Sequence, residues 1–268
     1  MKRALLLLSV TDFVFILLLS VAGALTGALS DAVYYLSFVI PVAGVYAVKK
    51  LLGSPFMPPR VKISGEGIGL TLAVTAPTLA LIFLLSYLTS LALSYFGKGA
   101  SFDVSGNLVT VILTQAVLTP VLEEALFRYI PLALLSPFSK RGAILYSAAF
   151  FALAHCSLYQ LPYAFFAGLV FALLDLALDS IIPSVVLHIL NNVISVLWLR
   201  YSLNAAFAHT YVIVLSALAV ASIPLILLLR GRLKKLLTPL FSDGGEAIPS
   251  VEALVFCAAT LLIAFINF

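Results

Sequence analysis

Long runs of apolar residues follow one another along the chain, separated by short connections that carry most of its charged residues. A helix that crosses a hydrocarbon core of roughly 30 Å needs about 20 apolar residues at 1.5 Å rise per residue. The pattern therefore predicts an all-α, polytopic transmembrane helix bundle of eight or nine spans, with residues 1–268 forming a single transmembrane domain. The predicted spans are Ala4–Leu29, Ala32–Val48, Ile68–Phe96, Leu108–Leu135, Gly142–Ser157, Leu161–Leu178, Pro183–Leu199, Ala208–Leu229 and Val251–Phe268.

Composition excludes the main alternatives to a membrane protein. Of the 268 residues, 63% are hydrophobic and 10% are charged, which is far from the composition of soluble globular domains. The net charge is +4, but the basic residues form no face interleaved with aromatic residues, so we expect no nucleic-acid partner. Two cysteines, Cys156 and Cys257, are too few for a disulfide framework. The partner that the composition indicates is the lipid bilayer.

The basic residues orient the predicted bundle. Lys and Arg are favoured at the cytoplasmic ends of membrane spans. With a cytoplasmic N-terminus, only Lys98 and Arg200 fall on the outside, so we expect a multi-pass cell-membrane protein in this orientation. The basic residues that then fall inside are Lys2, Arg3, Lys49, Lys50, Arg60, Lys62, Lys140, Arg141, Arg230, Arg232, Lys234 and Lys235.

Three charged residues lie inside the fourth predicted span, in the stretch "EEALFR". A charged side chain at membrane depth costs roughly 2.5–3.5 kcal/mol, so such a residue usually faces protein or a wet cavity and usually has a function. Glu124 and Arg128 are spaced i to i+4 and share a helix face, so we expect them to form a buried ion pair. Glu123 points about a quarter turn away and is free to face a cavity. The alternative is that all three only pack the helices together.

Two later spans supply the other polar groups that acid–base chemistry requires. "FALAH" places His155 on the helix face of Phe151, and "HILNN" places His188 on the face of Asn192. A glutamate in a poorly solvated cavity can take a proton from water, and a neighbouring histidine can hold that water. A second histidine and an amide group can donate hydrogen bonds to the oxygen of a tetrahedral intermediate. Each residue alone is more typical of helix packing.

The three stretches resemble the EExxxR, FxxxH and HxxxN motifs of the CAAX-protease and bacteriocin-processing family, also called the Abi family. That family includes the type II CAAX prenyl endopeptidases. The resemblance covers about Leu108 to Arg200, and it implies a catalytic core at residues 108–200. It also implies a helical intramembrane endopeptidase that opens toward the cytoplasm and hydrolyses a peptide bond of a membrane-associated substrate. A prenylated protein of CAAX type is the best-known example of such a substrate.

The resemblance also implies roles for individual residues. Glu123 would be the general base that acts on water, with His155 as its partner. His188 and Asn192 would stabilise the oxyanion. The supporting positions, with structural or substrate-positioning roles, would be Glu124, Arg128 and Phe151.

The sequence alone does not decide metal dependence or the class of function. Glu123, His155 and His188 are the ligand types of a catalytic zinc site, so zinc is an alternative, although no H-E-x-x-H motif is present. If His188 and Asn192 stabilise the oxyanion while Glu123 and His155 act on water, all four polar residues have a role. We therefore favour water activation without a metal or other cofactor. The rival classes are an ion- or proton-coupled transporter and a catalytically silent membrane scaffold. Intramembrane acids and histidines also build proton relays, but no inverted repeat is visible.

Four other polar residues in or near the spans are weaker candidates. Asp175 and Asp179 share a helix face and could contact a substrate or a cation, although structural roles are the simpler interpretation. Asp12 has no sequence-near partner, and His209 lies near a span end.

Overall fold

Eight helices form the described part of the protein, which in the computed structural model comprises residues 1–53, 55–95 and 104–241. The only β-type pairing among these residues is a single bridge between Arg60 and Ser180, which confirms the all-α fold class. The helices are α1 (Lys2–Gly23), α2 (Gly27–Leu52), α3 (Gly65–Ser94), α4 (Leu108–Leu135), α5 (Lys140–Ala154), α6 (Leu161–Leu178), α7 (Ile182–Tyr201) and α8 (Ala205–Phe241).

Seven of the eight helices are long and apolar enough to cross a membrane. The exception is α5, whose 15 residues rise about 22 Å and fall short of a 30 Å core. It ends at Ala154, whereas the sequence predicted a span to Ser157. These eight helices correspond to the first eight predicted spans, and the ninth, Val251–Phe268, lies outside the described residues. The protein is thus a multi-pass membrane protein.

Helices α5 and α6 form a tightly packed hairpin. A Cβ atom added to Gly168 would lie 2.8 Å from the Cα of Ala148, so only glycine allows the two backbones to come this close. The hairpin turns back at residues 155–160, within the depth of the bundle, because α5 is short. The turn therefore leaves space above it that the longer helices enclose.

Contacts between connections show which of them share a side of the bundle. In the connection from α2 to α3, the Nε atom of Arg60 lies 2.8 Å from Oδ2 of Asp179, and the Ile181 amide donates to the Arg60 carbonyl oxygen. The Met57 amide of the same connection donates to the carbonyl oxygen of Ala133 near the end of α4. The α2–α3, α4–α5 and α6–α7 connections therefore lie together.

We call this end of the bundle the basic side, because it also holds the N-terminus and nearly all the loop lysines and arginines. The opposite side holds the α1–α2, α3–α4 and α7–α8 connections. There, the Arg200 guanidinium at the end of α7 donates to the carbonyl oxygens of Val104 and Gly106, which precede α4. The arrangement agrees with helices that run alternately up and down through a membrane.

The half of the bundle next to the basic side is densely packed. Ile130, Leu132, Leu134 and Leu135 of α4 are each fully buried. They belong to an apolar cluster that also includes the first turns of α1, residues of α5 and Ala172 of α6. This packing fills the space between the middle of α4 and the basic side.

Candidate active site

A cavity of about 900 Å³ lies within the bundle. Its lining includes Glu123, Phe151, His155, His188 and Asn192, which are five of the seven site residues that the sequence predicted. They come from α4, the end of α5 and α7. The fold thus brings residues from three separate motifs to the wall of a single space.

The imidazole of His188 lies between the two adjacent glutamates. Its Nδ1 atom is 2.7 Å from Oε1 of Glu124, and its Nε2 atom is 3.3 Å from Oε2 of Glu123. A carboxylate only accepts hydrogen bonds, so the bond to Glu124 places a proton on Nδ1 and directs Nε2 toward Glu123 and the cavity. The resemblance implied His155 as the partner of Glu123, whereas the histidine that contacts Glu123 here is His188.

The ion pair predicted from the i to i+4 spacing is present behind the cavity wall. The Nε atom of Arg128 lies 3.5 Å from Oε2 of Glu124, and both side chains are fully buried. The guanidinium carbon of Arg128 lies 3.9 Å from the centre of the Phe151 ring and 5.6 Å from that of Phe171. Aromatic faces attract a desolvated cation, so these rings help to hold the arginine. Glu124 therefore connects a fixed cation to the histidine at the cavity.

Phe151 explains why the second motif begins with an aromatic residue. Besides stacking on Arg128, its ring contacts those of His155 and His188 edge to face, with centroid distances of 4.7 and 5.3 Å. Its carbonyl oxygen lies 2.7 Å from Nδ1 of His155, just beyond the end of α5. This bond places a proton on Nδ1 of His155 and leaves Nε2 as the accepting nitrogen. Phe151 therefore orients both histidines and also forms part of the cavity wall.

Helix α4 contains two π-helical segments that the sequence did not reveal. They are Ile112–Leu118 and Ala125–Tyr129, and the two glutamates stand at the end of the α-helical segment between them. Such segments are often found at functional sites. The hydroxyl of Ser147 on α5 donates to the carbonyl oxygen of Phe127 in the second segment, which ties α4 to the hairpin next to the glutamates.

Asn192 is held by hydrogen bonds at both ends of its amide. Its Nδ2 atom donates to the carbonyl oxygen of Gln115 in the first π-helical segment at 3.1 Å. Its Oδ1 atom accepts a hydrogen bond from Nδ2 of Asn191 at 3.2 Å. The amide NH₂ group carries two hydrogens, so one bond to Gln115 fixes its orientation without using its full donor capacity.

Two tyrosines near Glu123 were missed by the sequence interpretation. Tyr34 of α2 and Tyr163 of α6 line the cavity, and both interact electrostatically with Glu123. Thr119 of α4 lines the same cavity. The motifs could not reveal Tyr34, because α2 lies outside the segment that resembles the family. The only available signal was the pair of tyrosines in a predicted span.

The two aspartates near the third motif occupy different surroundings. Asp175 is fully buried, accepts a hydrogen bond from the Ser184 amide at 3.2 Å and interacts electrostatically with Arg128. Asp179 lies at the turn after α6, where it forms the ion pair with Arg60, and both side chains are largely exposed. These contacts agree with the structural interpretation of the pair.

The two remaining candidates lie away from the cavity. Asp12 of α1 is fully buried and accepts a hydrogen bond of 2.6 Å from the Tyr146 hydroxyl of α5, a partner that its sequence neighbours could not indicate. His209 lies on the exposed surface of α8.

The residues of the alternative zinc site do not converge as metal ligands. Among the described residues, no group of three or more His, Cys, Asp or Glu side chains is placed to hold a metal ion. His188 directs both ring nitrogens at carboxylates, and His155 directs Nδ1 at a carbonyl oxygen. A zinc ion would need Glu123 and both histidines at about 2.0–2.2 Å.

The cavity extends from the middle of the bundle toward the side opposite the basic side. On α2, α6 and α8, its lining residues belong to the first half of the helix or reach only the middle, whereas on α4 they extend to Phe127 and on α7 they run from His188 to Leu199. On α1, α3 and α5, they belong to the second half. The sequence predicted both a cytoplasmic basic side and a cavity that opens toward the cytoplasm. The apolar cluster lies between the middle of α4 and the basic side, and the orientation of the bundle in the membrane stays a prediction.

Fold and site together define a multi-pass helical membrane protein with an acid–base cluster at an internal cavity. Residues 105–194 match the family model described as type II CAAX prenyl endopeptidase Rce1-like. This match confirms the resemblance seen in the motifs and supports a CAAX-type intramembrane protease family. Searches among curated proteins and solved structures gave no match.

Proposed function

We propose that the protein is an intramembrane endopeptidase that hydrolyses a peptide bond of a membrane-associated substrate, with residues 108–200 as its catalytic core. The observation that carries this proposal is the position of His188 between Glu123 and Glu124 at the cavity wall. The Rce1-like domain, which covers the same residues, supports the same class of reaction.

Glu123 acts as the general base in the proposed reaction. Its carboxylate removes a proton from a water molecule while the water oxygen attacks the carbonyl carbon of the scissile peptide bond. Collapse of the tetrahedral intermediate breaks the C–N bond, and the proton passes from Glu123 to the amine that leaves. Nε2 of His188 lies next to the Glu123 carboxylate, and the buried ion pair of Glu124 and Arg128 keeps His188 in place.

Three side chains around the base complete the proposed site. Nε2 of His155 is an acceptor that can hold the attacking water. The Nδ2 group of Asn192 can donate to the oxyanion, whose stabilisation is usually a large part of such catalysis, and Nε2 of His188 adds a second donor when both ring nitrogens carry a proton. Both groups are oriented by other hydrogen bonds, so they need little reorganisation during the reaction. This arrangement needs no metal ion.

The substrate class follows from the family description. A type II CAAX prenyl endopeptidase acts on prenylated proteins, so a prenylated C-terminal peptide is a suitable first test substrate. An unprenylated membrane-associated peptide should be tested beside it. We further propose that the protein lies in the cell membrane with its N-terminus in the cytoplasm, in accordance with the basic residues at that end.

Cleavage by the purified protein in detergent tests this proposal. We expect wild type to cleave a membrane-associated peptide and Glu123→Gln to lose the activity, because Gln retains the shape of the side chain but is not a base. Glu66→Gln is the matched control, since Glu66 forms an exposed ion pair with Arg232 on the basic side. Cleavage by Glu123→Gln at the wild-type rate would remove Glu123 from the role of base.

The same assay tests metal dependence. We expect a chelator to leave the rate unchanged. If a chelator abolished cleavage and zinc restored it, with one equivalent of bound metal, the metal-free scheme would be wrong.

Transport is the rival function that the cavity itself suggests, because buried acids and histidines also line proton paths. Proton or ion flux in liposomes, lost in Glu123→Gln and accompanied by no peptide cleavage, would favour a transporter. If the protein neither cleaved nor transported, it would be a catalytically silent scaffold.

A further inference from the structure

We propose that Asp175 of α6 is a positioning residue of the site, which holds the start of α7 and thereby keeps His188 between the two glutamates. The effect on cleavage rests on the peptidase function proposed above. The position of His188 rests only on the way α6 packs against α4 and α7.

The first turn of α7 needs acceptors for its backbone amides, because the first amides of a helix have no partner within that helix. The Ile182 amide donates to Oγ of Ser180 at 3.2 Å, and Pro183 has no N–H group. The Ser184 amide donates to Oδ1 of Asp175 at 3.2 Å. A side chain of the preceding helix therefore caps the helix that carries His188.

The hydrogen bond from Ser184 to Asp175 is buried, since both residues have zero exposure. A buried amide that loses its acceptor is costly, because water does not reach it to replace the bond. Without the carboxyl group of Asp175, the first turn of α7 would have to shift to bring the Ser184 amide to another acceptor.

A shift at Ser184 would be transmitted to His188, because residues four apart lie on one face of a helix. The Nδ1 atom of His188 is 2.7 Å from Oε1 of Glu124, and its Nε2 atom is 3.3 Å from Oε2 of Glu123. A displacement of about 1 Å away from the glutamates would break the bond to Glu124, since a contact of about 3.6 Å is no longer a hydrogen bond.

The same face of α6 contacts the site at two further points. Phe171, one turn before Asp175, has its ring centre 5.7 Å from that of His188 and 5.6 Å from the guanidinium carbon of Arg128. Asp175 also interacts electrostatically with Arg128. Helix α6 therefore packs against α4 and α7 together, and Asp175 lies where it can fix their relative position.

Cleavage kinetics of two Asp175 variants test the proposal. We expect Asp175→Ala to lower kcat about 10²-fold, as a misplacement of about 1 Å can do, with KM nearly unchanged. Asp175→Asn keeps an oxygen that can accept the hydrogen bond from the Ser184 amide, so it should be clearly faster than Asp175→Ala.

The matched control is Asp12→Ala. Asp12 is also fully buried and accepts a hydrogen bond from the Tyr146 hydroxyl, but it lies on α1 outside the cavity lining. Both Ala variants lose a buried hydrogen bond, and only Asp175→Ala should lose kcat. The proposal is overturned if Asp175→Ala keeps the wild-type kcat, if Asp12→Ala loses as much, or if Asp175→Asn is as slow as Asp175→Ala.

Nuclear magnetic resonance follows His188 without any substrate. Labelling with ¹⁵N-histidine gives ring signals from only three residues, and His188→Gln identifies the signal of His188. The Nδ1 proton that is hydrogen-bonded to Glu124 should resonate far downfield. We expect Asp175→Ala to shift this signal and Asp12→Ala to leave it in place, and an unchanged signal in Asp175→Ala would overturn the positioning role.

Ser180→Ala is a milder change at the same turn, because it removes the acceptor of the Ile182 amide. It should shift the His188 signal and lower kcat by less than Asp175→Ala. If Asp175→Ala yields no folded protein, a wild-type signal and a wild-type kcat in Ser180→Ala overturn the proposal.

The outcome is separable from that of the proposed function. No peptide cleavage by wild type, with the His188 signal shifted in Asp175→Ala, would reject the peptidase and retain the positioning role. Cleavage by wild type, with an unchanged signal and kcat in Asp175→Ala, would retain the peptidase and reject the positioning role.

Discussion

Replacing Glu124 by Gln should strongly destabilise the protein, because it leaves Arg128 as a buried cation without its ion-pair partner. The two charges are 3.5 Å apart with both side chains fully buried. At an effective dielectric constant of about 20, two unit charges at this distance attract each other by about 5 kcal/mol. Breaking a buried pair by removing one partner typically costs about 3–5 kcal/mol. The amide oxygen of Gln can still accept the hydrogen bond from His188, so the substitution mainly removes the charge.

The matched control is the same substitution at Glu66. That glutamate lies 3.6 Å from Arg232, but both side chains are more than half exposed. Exposed ion pairs contribute about 0–1 kcal/mol, so Glu66→Gln should leave the free energy of unfolding nearly unchanged.

Reversible unfolding in mixed detergent micelles, followed by circular dichroism, measures both effects. Adding Arg128→Met to Glu124→Gln should recover part of the lost free energy, because the unpaired cation is then gone. The double-mutant cycle should give a coupling energy above about 1 kcal/mol. The reasoning fails if Glu124→Gln unfolds like Glu66→Gln, or if the two substitutions are simply additive.

Three further substitutions test other contacts. Gly168→Ala should lower the free energy of unfolding by about 1–3 kcal/mol, because the new Cβ collides with the Ala148 backbone. Gly44→Ala is the control in the same measurement, because a Cβ added to Gly44 meets no atom within 4 Å. Tyr146→Phe removes the hydroxyl that donates to buried Asp12 and should cost about 1–3 kcal/mol; an equal loss in an Asp12→Leu background would contradict that cause. Asn192→Ala should lower kcat about 10²–10³-fold with little change in unfolding, and an unchanged kcat would remove the amide from the oxyanion site.

Sequence spacing within one helix was sufficient to predict the ion pair. Glu124 and Arg128 are one turn apart, and their contact survives even though residues Ala125–Tyr129 are π-helical. The same spacing correctly left Glu123 to face the cavity. These predictions succeeded because they depended on the direction of side chains along a single helix.

The spacing of residues along one helix could not predict contacts between different helices. The motifs indicated that His155 and His188 belong to one site, but not that His188 would lie between both glutamates, because this depends on how α4 and α7 pack. Tyr34 comes from a helix without any family motif. The predicted opening of the site toward the cytoplasm came from the resemblance, and it stays a prediction.

Peptide hydrolysis in ¹⁸O-labelled water tests the central claim most directly. The purified protein is incubated in detergent with a membrane-associated peptide, and the masses of the products are measured by mass spectrometry. The account predicts that wild type forms a new C-terminal carboxylate containing one ¹⁸O atom, while Glu123→Gln leaves the peptide intact. Products without ¹⁸O, or labelled products formed equally fast by Glu123→Gln, would contradict water activation by Glu123.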